Sequence, residues 1–315
     1  MVLWLVAALL LLPALLLTLG RLSGSDAAPV VRVVSFVPAG IPLYAVGLVL
    51  LALAVRRHRR RLPLAAAAAA VVGLGLHLAW VAPWYVDGSA AAAEGGPVLR
   101  VMTSNVLGDA GDAPGLVAAA TDADIDVLVV EELSTGALAE MERAGLDELL
   151  PYRAGEPDPG GVRGTMVFAR QPITDVERLP TLFGCWSVRV GGVGVFALHP
   201  VYALDTARWR EEHAAILAAA ERLEPDLMIG DFNATLDHGP MRRLDAAGWR
   251  DATELSGSGW QPTWPADGTG LRGLLPPVIQ IDHVLVDDGW TADRTWTVGI
   301  DGTDHRALVA EVARS

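Results

Sequence analysis

The chain has 315 residues, of which 52% are hydrophobic, yet its 37 acidic and 24 basic residues give a formal net charge of −13. A mean hydropathy of +0.36 exceeds what one water-soluble core requires, and so apolar a composition excludes intrinsic disorder. The single cysteine, Cys185, excludes an intramolecular disulfide framework. All 24 basic residues are arginine, which excludes Lys-dependent chemistry such as a Schiff base or a P-loop of the G-K-[ST] type.

The apolar character and the negative charge lie in different parts of the chain. Residues 1–97 contain 7 Arg and 3 acidic residues, a net charge of +4, whereas residues 98–315 contain 17 Arg and 34 acidic residues, a net charge of −17. We therefore predict a hydrophobic anchor over residues 1–86 and an acidic domain over residues 98–315. The segment 87–97 (DGSAAAAEGGP) is typical of a flexible linker.

Three uncharged apolar runs in the anchor are long enough to cross a bilayer: residues 2–19, 33–55 and 62–86. A hydrocarbon core of about 30 Å needs about 20 helical residues, or slightly fewer when the flanking side chains snorkel. Trp80, Trp84 and Tyr85 fit an interfacial aromatic belt near the end of the third run. The first run could instead be a signal peptide, although it has no clear A-x-A cleavage site.

An arginine cluster sets the expected orientation of these spans. Residues 56–61 read RRHRRR and lie between the second and third runs, and short Arg-rich loops stay on the cytoplasmic side. We therefore predict a multi-pass protein of the cell membrane, with a cytoplasmic N-terminus and an extracytoplasmic acidic domain. Arg21 and Arg32 would then fall in the outer loop, which weighs against this orientation.

Short apolar runs alternate with two helical stretches in the acidic domain. The predicted helices are residues 114–123 and 206–223. The predicted strands, each bounded by Gly, Pro or Asp, are residues 98–102, 125–130, 165–169, 186–190, 193–198, 227–229, 279–286 and 307–312. Many strands with few helices favour sheets covered by outer helices.

Carboxylate, amide and imidazole side chains lie where these apolar runs begin or end: Asn105, Glu132, His199, Asp231, Asn233, Asp282, His283, Asp304 and His305. Taken singly, each is more often a turn former or a helix cap. Taken together, the oxygen ligands suit a hard cation such as Mg²⁺, which completes its shell with water and substrate phosphate. The set therefore predicts hydrolysis of a phosphoester with Mg²⁺, or alternatively Mn²⁺, as cofactor.

Five segments in order carry a resemblance to a known family: TSNV (103–106), DVLVVEEL (126–133), IGDFN (229–233), QIDHVLV (280–286) and TDHRALV (303–309). They resemble the signature blocks of the endonuclease/exonuclease/phosphatase superfamily, which includes DNase I-like nucleases, sphingomyelinases and inositol polyphosphate 5-phosphatases. The whole arrangement looks like the membrane-anchored, three-span bacterial members. The resemblance implies an N-terminal three-helix transmembrane anchor followed by a DNase I-like, four-layer α/β/β/α sandwich, and metal-dependent phosphoester hydrolysis.

On the metal side of the site, the resemblance implies that Glu132 binds the ion, assisted by Asn105 and completed by Asp304. The family commonly has Gln before this Glu, whereas this chain has Glu131. We expect strand alternation to decide between the two adjacent carboxylates, since only one of them can face the site.

On the catalytic side, the resemblance implies that Asp231 orients or deprotonates the attacking water and that Asn233 holds the phosphate oxygens. His305 would contact the scissile phosphate, kept in one tautomer by Asp282. His199, in the segment LHPVY, matches a family histidine that either stabilises the transition state or protonates the leaving group.

Charge and tethering bear on the substrate. Proteins that grip nucleic acid neutralise its phosphates with Lys and Arg, so a domain of net charge −17 makes nucleic acid an unlikely partner. A short tether to the lipid bilayer favours a lipid-linked, phosphorylated small-molecule or other cell-envelope substrate. We expect an extracytoplasmic phosphatase or phosphodiesterase. The alternatives are an extracytoplasmic nuclease and a catalytically silent module that binds phospholipid.

Overall fold

The structure, a computed structural model, describes residues 2–58, 64–86, 88, 98–266 and 276–315. The chain divides into two compact units, Met1–Pro83 with Asp237–Gly239 and Trp84–Leu236 with Pro240–Ser315. Most of the linker at 87–97, and Arg59, Arg60 and Arg61 of the arginine cluster, lie outside the described residues.

The first unit consists of apolar helices: α1 (Val2–Ser23), α2 (Ala28–Val34), α3 (Gly40–His58) and α4 (Leu64–Val81). Among the described residues, three segments are long and apolar enough to cross a membrane: Val2–Ser23, Val37–Arg56 and Ala65–Tyr85. The second of these segments begins at Val37, whereas the predicted run begins at residue 33, near the end of α2.

A buried polar network joins the three long helices. The Thr18 hydroxyl of α1 lies 2.8 Å from the Tyr44 hydroxyl of α3 and 3.0 Å from Nε2 of His77 in α4. The other ring nitrogen of His77 lies 2.8 Å from the Val37 carbonyl oxygen. All three side chains are buried. Because an unpartnered polar group is costly in an apolar environment, this network fixes how the helices pack.

The described residues of the second unit form two six-stranded sheets. The strands are β1 (Val98–Gly108), β2 (Val127–Leu133), β3 (Tyr152–Glu156), β4 (Thr165–Ala169), β5 (Ile173–Arg178), β6 (Trp186–Val190), β7 (Val193–Leu198), β8 (Leu227–Asp231), β9 (Arg250–Asp251), β10 (Asp282–Val286), β11 (Trp290–Gly299) and β12 (Arg306–Arg314). The first sheet has the order β11-β12-β1-β2-β4-β3, and the second has β5-β6-β7-β8-β10-β9. Each sheet contains one parallel pair, β1 with β2 and β7 with β8, among antiparallel neighbours.

The helices of this unit are α5 (Ala113–Asp122), α6 (Thr135–Arg143), α7 (Leu146–Leu149), α8 (Thr206–Leu223), α9 (Gly239–Ala246) and α10 (Ala252–Ser256). Helices α5 and α8 are the crossovers that the two parallel pairs require. Both begin at an aspartate whose carboxylate accepts a backbone N–H of the first turn, Asp112 in α5 and Asp205 in α8. The two predicted helices therefore correspond to α5 and α8.

Apolar side chains on alternate strand positions form the layers. Val101, Val129, Val195 and Ile229, from both sheets, belong to one core between the sheets. On the other face of the first sheet, a second core includes Leu128 with residues of α5 and α6. Helix α8 buries an apolar face of its own. This is the predicted four-layer α/β/β/α sandwich, and each fully buried Val, Leu or Ile contributes roughly 1.5–3 kcal/mol.

The sequence patterns miss four strands, β3, β5, β9 and β11, and all four lie at the edges of the sheets. Strand β5 is exposed over most of its length, and β3 is exposed or half-buried throughout. An edge strand that buries no face carries no alternating apolar pattern, which is why β3 and β5 do not stand out. Strand β9 has only two residues, and β11 buries Trp290 and Ala292 at one end but is mostly polar in sequence.

Gly230 marks the closest approach of β8 to β7. A Cβ atom there would lie 2.0 Å from the Leu198 carbonyl oxygen, and the φ angle is +150°. We expect Gly230→Ala to lower the free energy of unfolding by about 3 kcal/mol, because the two strands would have to separate. Denaturant unfolding of the full-length protein in detergent, followed by tryptophan fluorescence, measures this change.

Gly299→Ala is the matched control, because no described atom lies within 4 Å of its Cβ position. Equal stability of the two alanine variants would contradict the strand packing.

Candidate active site

The carboxyl ends of the two parallel strand pairs meet at one place. The side-chain amide of Asn105 in β1 donates to Glu132 Oε1 of β2 and to Asp231 Oδ2 at the end of β8, both at 3.2 Å. Nε2 of His199, which follows β7, lies 3.9 Å from Glu132 Oε1 and 3.7 Å from Asp231 Oδ2. The site is therefore built across the two sheets, and four of the predicted residues form its centre.

His305 and Asp282 form the predicted buried pair. Nδ1 of His305 lies 2.9 Å from Asp282 Oδ2, and its Nε2 faces Asp231 Oδ2 at 3.8 Å. Thr303 fixes the turn that carries this histidine: its hydroxyl donates to the Asn105 carbonyl oxygen at 2.7 Å and accepts from the His305 N–H at 3.2 Å. Because Asp282 accepts the Nδ1 proton, Nε2 is the nitrogen that can act on a substrate.

Both adjacent glutamates lie on the site side of the first sheet, so the expectation that only one of them could do so is wrong. Strict alternation directs Glu131 between the sheets, as it does Val129, and there Glu131 accepts a 2.8 Å hydrogen bond from the Thr103 hydroxyl. Glu132 has a φ angle of +49°. This left-handed conformation interrupts the alternation of side chains. The Glu132 carboxylate therefore reaches Asn105, on the same side of the sheet as Glu131.

Glu131 favours its neutral form. Burial and the charges of Asp282 and Asp231 raise its pKa well above the ordinary value, and the hydrogen bond from Thr103 offsets only part of that rise. A protonated glutamate is a neutral hydrogen-bonding group, as the Gln common at this position in the family is. This carboxyl group is therefore a poor ligand for a cation.

Glu132 fits a divalent cation. Its Oε2 is buried and has no hydrogen-bond partner among the described residues, and the same is true of Glu131 Oε2. The two differ in charge: Glu131 favours its neutral form, whereas an anionic Glu132 oxygen buried in this way needs a compensating charge. Burial raises its pKa, the hydrogen bond from Asn105 opposes that rise, and the charge of Asp304 adds to it. Asp304 is itself held by the Trp264 indole N–H, which donates to its Oδ2 at 3.0 Å.

A second group of side chains could also hold a metal ion. One ligand atom each from Asp231, Asp282 and His305 lies within 4.8 Å of the others, and all three side chains are buried. Asp282 Oδ2 and Nδ1 of His305 are already hydrogen-bonded to each other, so an ion held by both residues would compete with that bond. We therefore favour Glu132 as the principal ligand, with Asn105 and Asp304 beside it.

The site holds its two histidines in opposite protonation states. Burial opposes the charged form of His305, but the charges of Asp282 and Asp231 outweigh it and raise its pKa. Burial and the charge of His305 lower the pKa of His199 to about 3. At neutral pH His305 is therefore a cation and His199 is neutral. Burial and the charge of Asp282 raise the pKa of Asp231, which makes it a stronger base than an ordinary aspartate.

Asn233, which follows β8 of the second sheet, holds Asp231 in position. Its backbone N–H donates to Asp231 Oδ1 at 2.8 Å, and its side-chain amide donates to the Pro200 carbonyl oxygen at 3.0 Å. Its φ angle of +48° places both donors in position. Since the amide is directed at the protein, Asn233 orients Asp231, and its contact with phosphate stays a prediction.

Sequence reasoning missed two residues that support the site, Thr303 and Trp264. Each holds a predicted residue through a hydrogen bond that crosses a long stretch of chain, Thr303 to Asn105 and Trp264 to Asp304. Thr303 lies within the segment 303–309, which resembles a family block, whereas Trp264 lies outside the five segments.

Comparison with known proteins decides the family. The model described as Endonuclease/Exonuclease/phosphatase family matches residues 102–305. The chain belongs to this family. The resemblance inferred from the five segments is thereby confirmed. Members of the endonuclease/exonuclease/phosphatase family are phosphatases or nucleases that hydrolyse phosphoesters, and they typically depend on a divalent metal. No curated protein sequence matches the chain.

Solved structures of the endonuclease/exonuclease/phosphatase family share the fold. A family protein of Bacteroides thetaiotaomicron has a TM-score of 0.55 at 14% identity, covering 70% of this chain and 99% of that one. A mannosyl-6-phosphatase of the same organism has a TM-score of 0.53 at 13% identity, with 68% and 99% covered. Truncated TDP2 of Caenorhabditis elegans has a TM-score of 0.54 at 14% identity, with 69% and 98% covered. The identities are low, so these likenesses establish the fold alone.

Asp282→Asn removes a charge that keeps His305 protonated. We expect kcat/KM to fall about 100-fold at neutral pH. We also expect the alkaline limb of the pH–rate profile to move to lower pH, because a histidine with a lower pKa loses its proton earlier as the pH rises. Hydrolysis of bis-p-nitrophenyl phosphate from neutral to alkaline pH measures both effects.

Asp251→Asn is the matched control for this variant. Asp251 Oδ2 lies 2.8 Å from Nδ1 of His283, in a second buried His–Asp pair whose histidine points to the Ala234 carbonyl oxygen rather than to the site. This variant should lose stability and keep the profile. An unshifted alkaline limb in Asp282→Asn would contradict the role given to the His305 pair.

Proposed function

We propose that the protein is a membrane-anchored, extracytoplasmic phosphoesterase that requires Mg²⁺ or Mn²⁺ and cleaves a lipid-linked or other cell-envelope phosphate compound. Residues 1–86 form the anchor, residues 87–97 the linker and residues 98–315 the catalytic domain. The observation that carries the proposal is the cluster at the carboxyl ends of the parallel strands, where the unpartnered Glu132 oxygen, Asp231 and the His305–Asp282 pair converge.

The side chains divide the hydrolysis among themselves. Asp231, with its raised pKa, orients the attacking water and accepts its proton. His305, held as a cation, contacts the phosphate oxygens through Nε2 and offsets the charge that develops on them. Glu132, with Asn105 and Asp304, would hold a divalent ion, which would supply further positive charge to these oxygens.

His199 stabilises the transition state rather than protonating the leaving group. Its pKa of about 3 makes it neutral throughout the physiological range, and a neutral imidazole is a weak proton donor but a good hydrogen-bond donor. Of the two roles that the family resemblance left open for this residue, the low pKa supports the first.

The anchor supports the membrane location and the orientation. Three helices are long and apolar enough to span a bilayer, and the sequence RRHRRR at residues 56–61 separates the second from the third. If this Arg-rich loop stays in the cytoplasm, as the positive-inside rule predicts, the N-terminus is inside and the catalytic domain is outside. A substrate at or near the lipid bilayer suits this location. The net charge of −17 in the catalytic domain disfavours long nucleic acid.

A matched pair of variants tests the function. We expect the full-length protein in detergent to hydrolyse phosphoesters with Mg²⁺ and to stop when EDTA is added. Glu132→Gln should lower kcat/KM at least about 100-fold, whereas Glu131→Gln should stay within a few-fold of the parent, because burial and the neighbouring charges raise the pKa of Glu131 well above its ordinary value and so favour its neutral form. The substrates are bis-p-nitrophenyl phosphate, a phospholipid, an isoprenoid diphosphate and DNA.

The panel separates the alternatives. Absence of turnover on every substrate would leave a catalytically silent phospholipid-binding module. Turnover on DNA alone would make the protein a nuclease and remove the envelope substrate. Equal losses in the two glutamate variants would contradict the assignment of Glu132 as the ligand.

A fusion at Ser315 tests the orientation. A reporter enzyme that folds only outside the cytoplasm should be active there, and a reporter that works only inside should be silent. The reverse result would place the catalytic domain in the cytoplasm.

A further inference from the structure

A row of rings leads from the catalytic cluster to the protein surface. The Phe183 ring lies 4.9 Å from the His199 ring and 6.1 Å from the Tyr202 ring, both measured between centroids. Exposure rises along the row, from 1% at His199 to 7% at Phe183 and 52% at Tyr202. Tyr202 is therefore the exposed end of the row, and Phe183, whose exposed fraction is small, connects it to the histidine beside the reacting groups.

The outer end of the row is an exposed apolar turn. The Asp205 N–H donates to the Tyr202 carbonyl oxygen at 3.1 Å and closes the turn, and Leu204 within it is 68% exposed. A single exposed apolar side chain is ordinary on a protein surface. Neighbouring exposed apolar side chains beside a catalytic site are typical of a surface that binds a ligand.

Glu212 of α8 holds the two ring-bearing segments together. Its Oε1 accepts the Leu182 N–H at 2.9 Å and its Oε2 accepts the Val201 N–H at 2.8 Å. Each carboxylate oxygen thus fixes the residue directly before a ring of the row, and the carboxylate itself is buried. Burying a charged group to hold two loops is costly, so the rings are placed before any ligand arrives.

A second set of contacts ties the same loops to His199. The His199 N–H donates to the Cys185 sulfur at 3.0 Å, and the Cys185 N–H donates to the Thr181 hydroxyl at 2.9 Å. The segment around Phe183 is therefore fixed both to the catalytic histidine and to the Tyr202 loop. A preorganised surface of this kind binds a ligand without the loss of conformational entropy that ordering a loop would require.

We propose that Phe183 and Tyr202, positioned by Glu212, form the subsite that binds the apolar group of the substrate, the first carbons of a lipid chain joined to the scissile phosphate. This inference rests on the proposed function and specifies the substrate class of the same site. A lipid chain is favoured over a nucleobase because the outer turn is apolar, the domain is strongly acidic and the chain carries three apolar helices that suit a bilayer.

Chain-length dependence tests the subsite. The substrates are p-nitrophenyl alkyl phosphates with methyl, butyl and octyl groups, assayed with the full-length protein in one detergent. We expect kcat/KM of the parent to rise at least about tenfold from the methyl to the octyl ester. In Tyr202→Ala and Phe183→Leu the octyl-to-methyl ratio should approach one, while Tyr202→Phe should keep most of it.

Glu212→Gln tests the positioning role. The amide keeps the size of the side chain but can accept a hydrogen bond at only one of its two terminal atoms. We expect KM for the octyl ester to rise by a larger factor than kcat falls. A merely structural role would instead lower the amount of active enzyme, and hence the apparent kcat, at unchanged KM.

Tyr152→Ala is the control for the loss of an exposed tyrosine, since Tyr152 is 41% exposed on edge strand β3. This variant should keep the octyl-to-methyl ratio of the parent. Thermal unfolding checks that Phe183→Leu is folded. An unchanged octyl-to-methyl ratio in both ring variants would overturn the subsite and leave the proposed function intact.

Two further outcomes are distinct from that one. A p-nitrophenyl ester of thymidine 5′-phosphate that outperforms the octyl ester, and loses this advantage in the ring variants, would overturn the lipid assignment in favour of a base. Absence of Glu132-dependent turnover on every ester would defeat the proposed function, and the subsite with it.

Discussion

The crowding of buried carboxyl groups between the two sheets is the constraint on which the site depends. Glu131, Asp231 and Asp282 are all buried, and like charges this close cannot all be ionised where the dielectric constant is low. Three effects reduce the repulsion between these carboxylates. Glu131 favours its protonated form, and His305 carries a positive charge beside Asp282. Asp231 has a raised pKa and is therefore a stronger base. The proton positions that hydrolysis needs follow from this electrostatic balance.

The architecture explains why these groups meet. Each sheet contains one strand–helix–strand unit with a parallel pair, and the carboxyl ends of the two pairs lie together. One pair supplies Glu132 and the other supplies Asp231, while Asn105 donates to both and so bridges the sheets. Crossover helices are what parallel neighbours require, so α5 and α8, although outside the site, determine which strand ends face it. Through Glu212, α8 also fixes the loops that border the site.

The sequence predicted the inner strands and the residues at their ends, because strands buried on both faces form short apolar runs that stop abruptly at polar residues. It did not predict the four edge strands, which lack such runs, nor the orientation of Glu132. That orientation depends on a left-handed backbone that only the surrounding strands can enforce. Trp264 and Glu212 were also missed, since their partners are brought close by tertiary structure alone. The sequence therefore predicts where a residue lies along its strand, but it does not predict the contacts that residues make across the two sheets.

The central claim is that Glu132 binds the cation while Asp282 and His305 stay bound to each other. Anomalous diffraction from crystals of the full-length protein grown with Mn²⁺ tests it most directly, because the signal locates the ion without reference to activity. The account predicts a peak coordinated by the Glu132 carboxylate, with Asp282 still accepting the His305 ring proton. A peak coordinated by Asp231, Asp282 and His305, with none at Glu132, would contradict it.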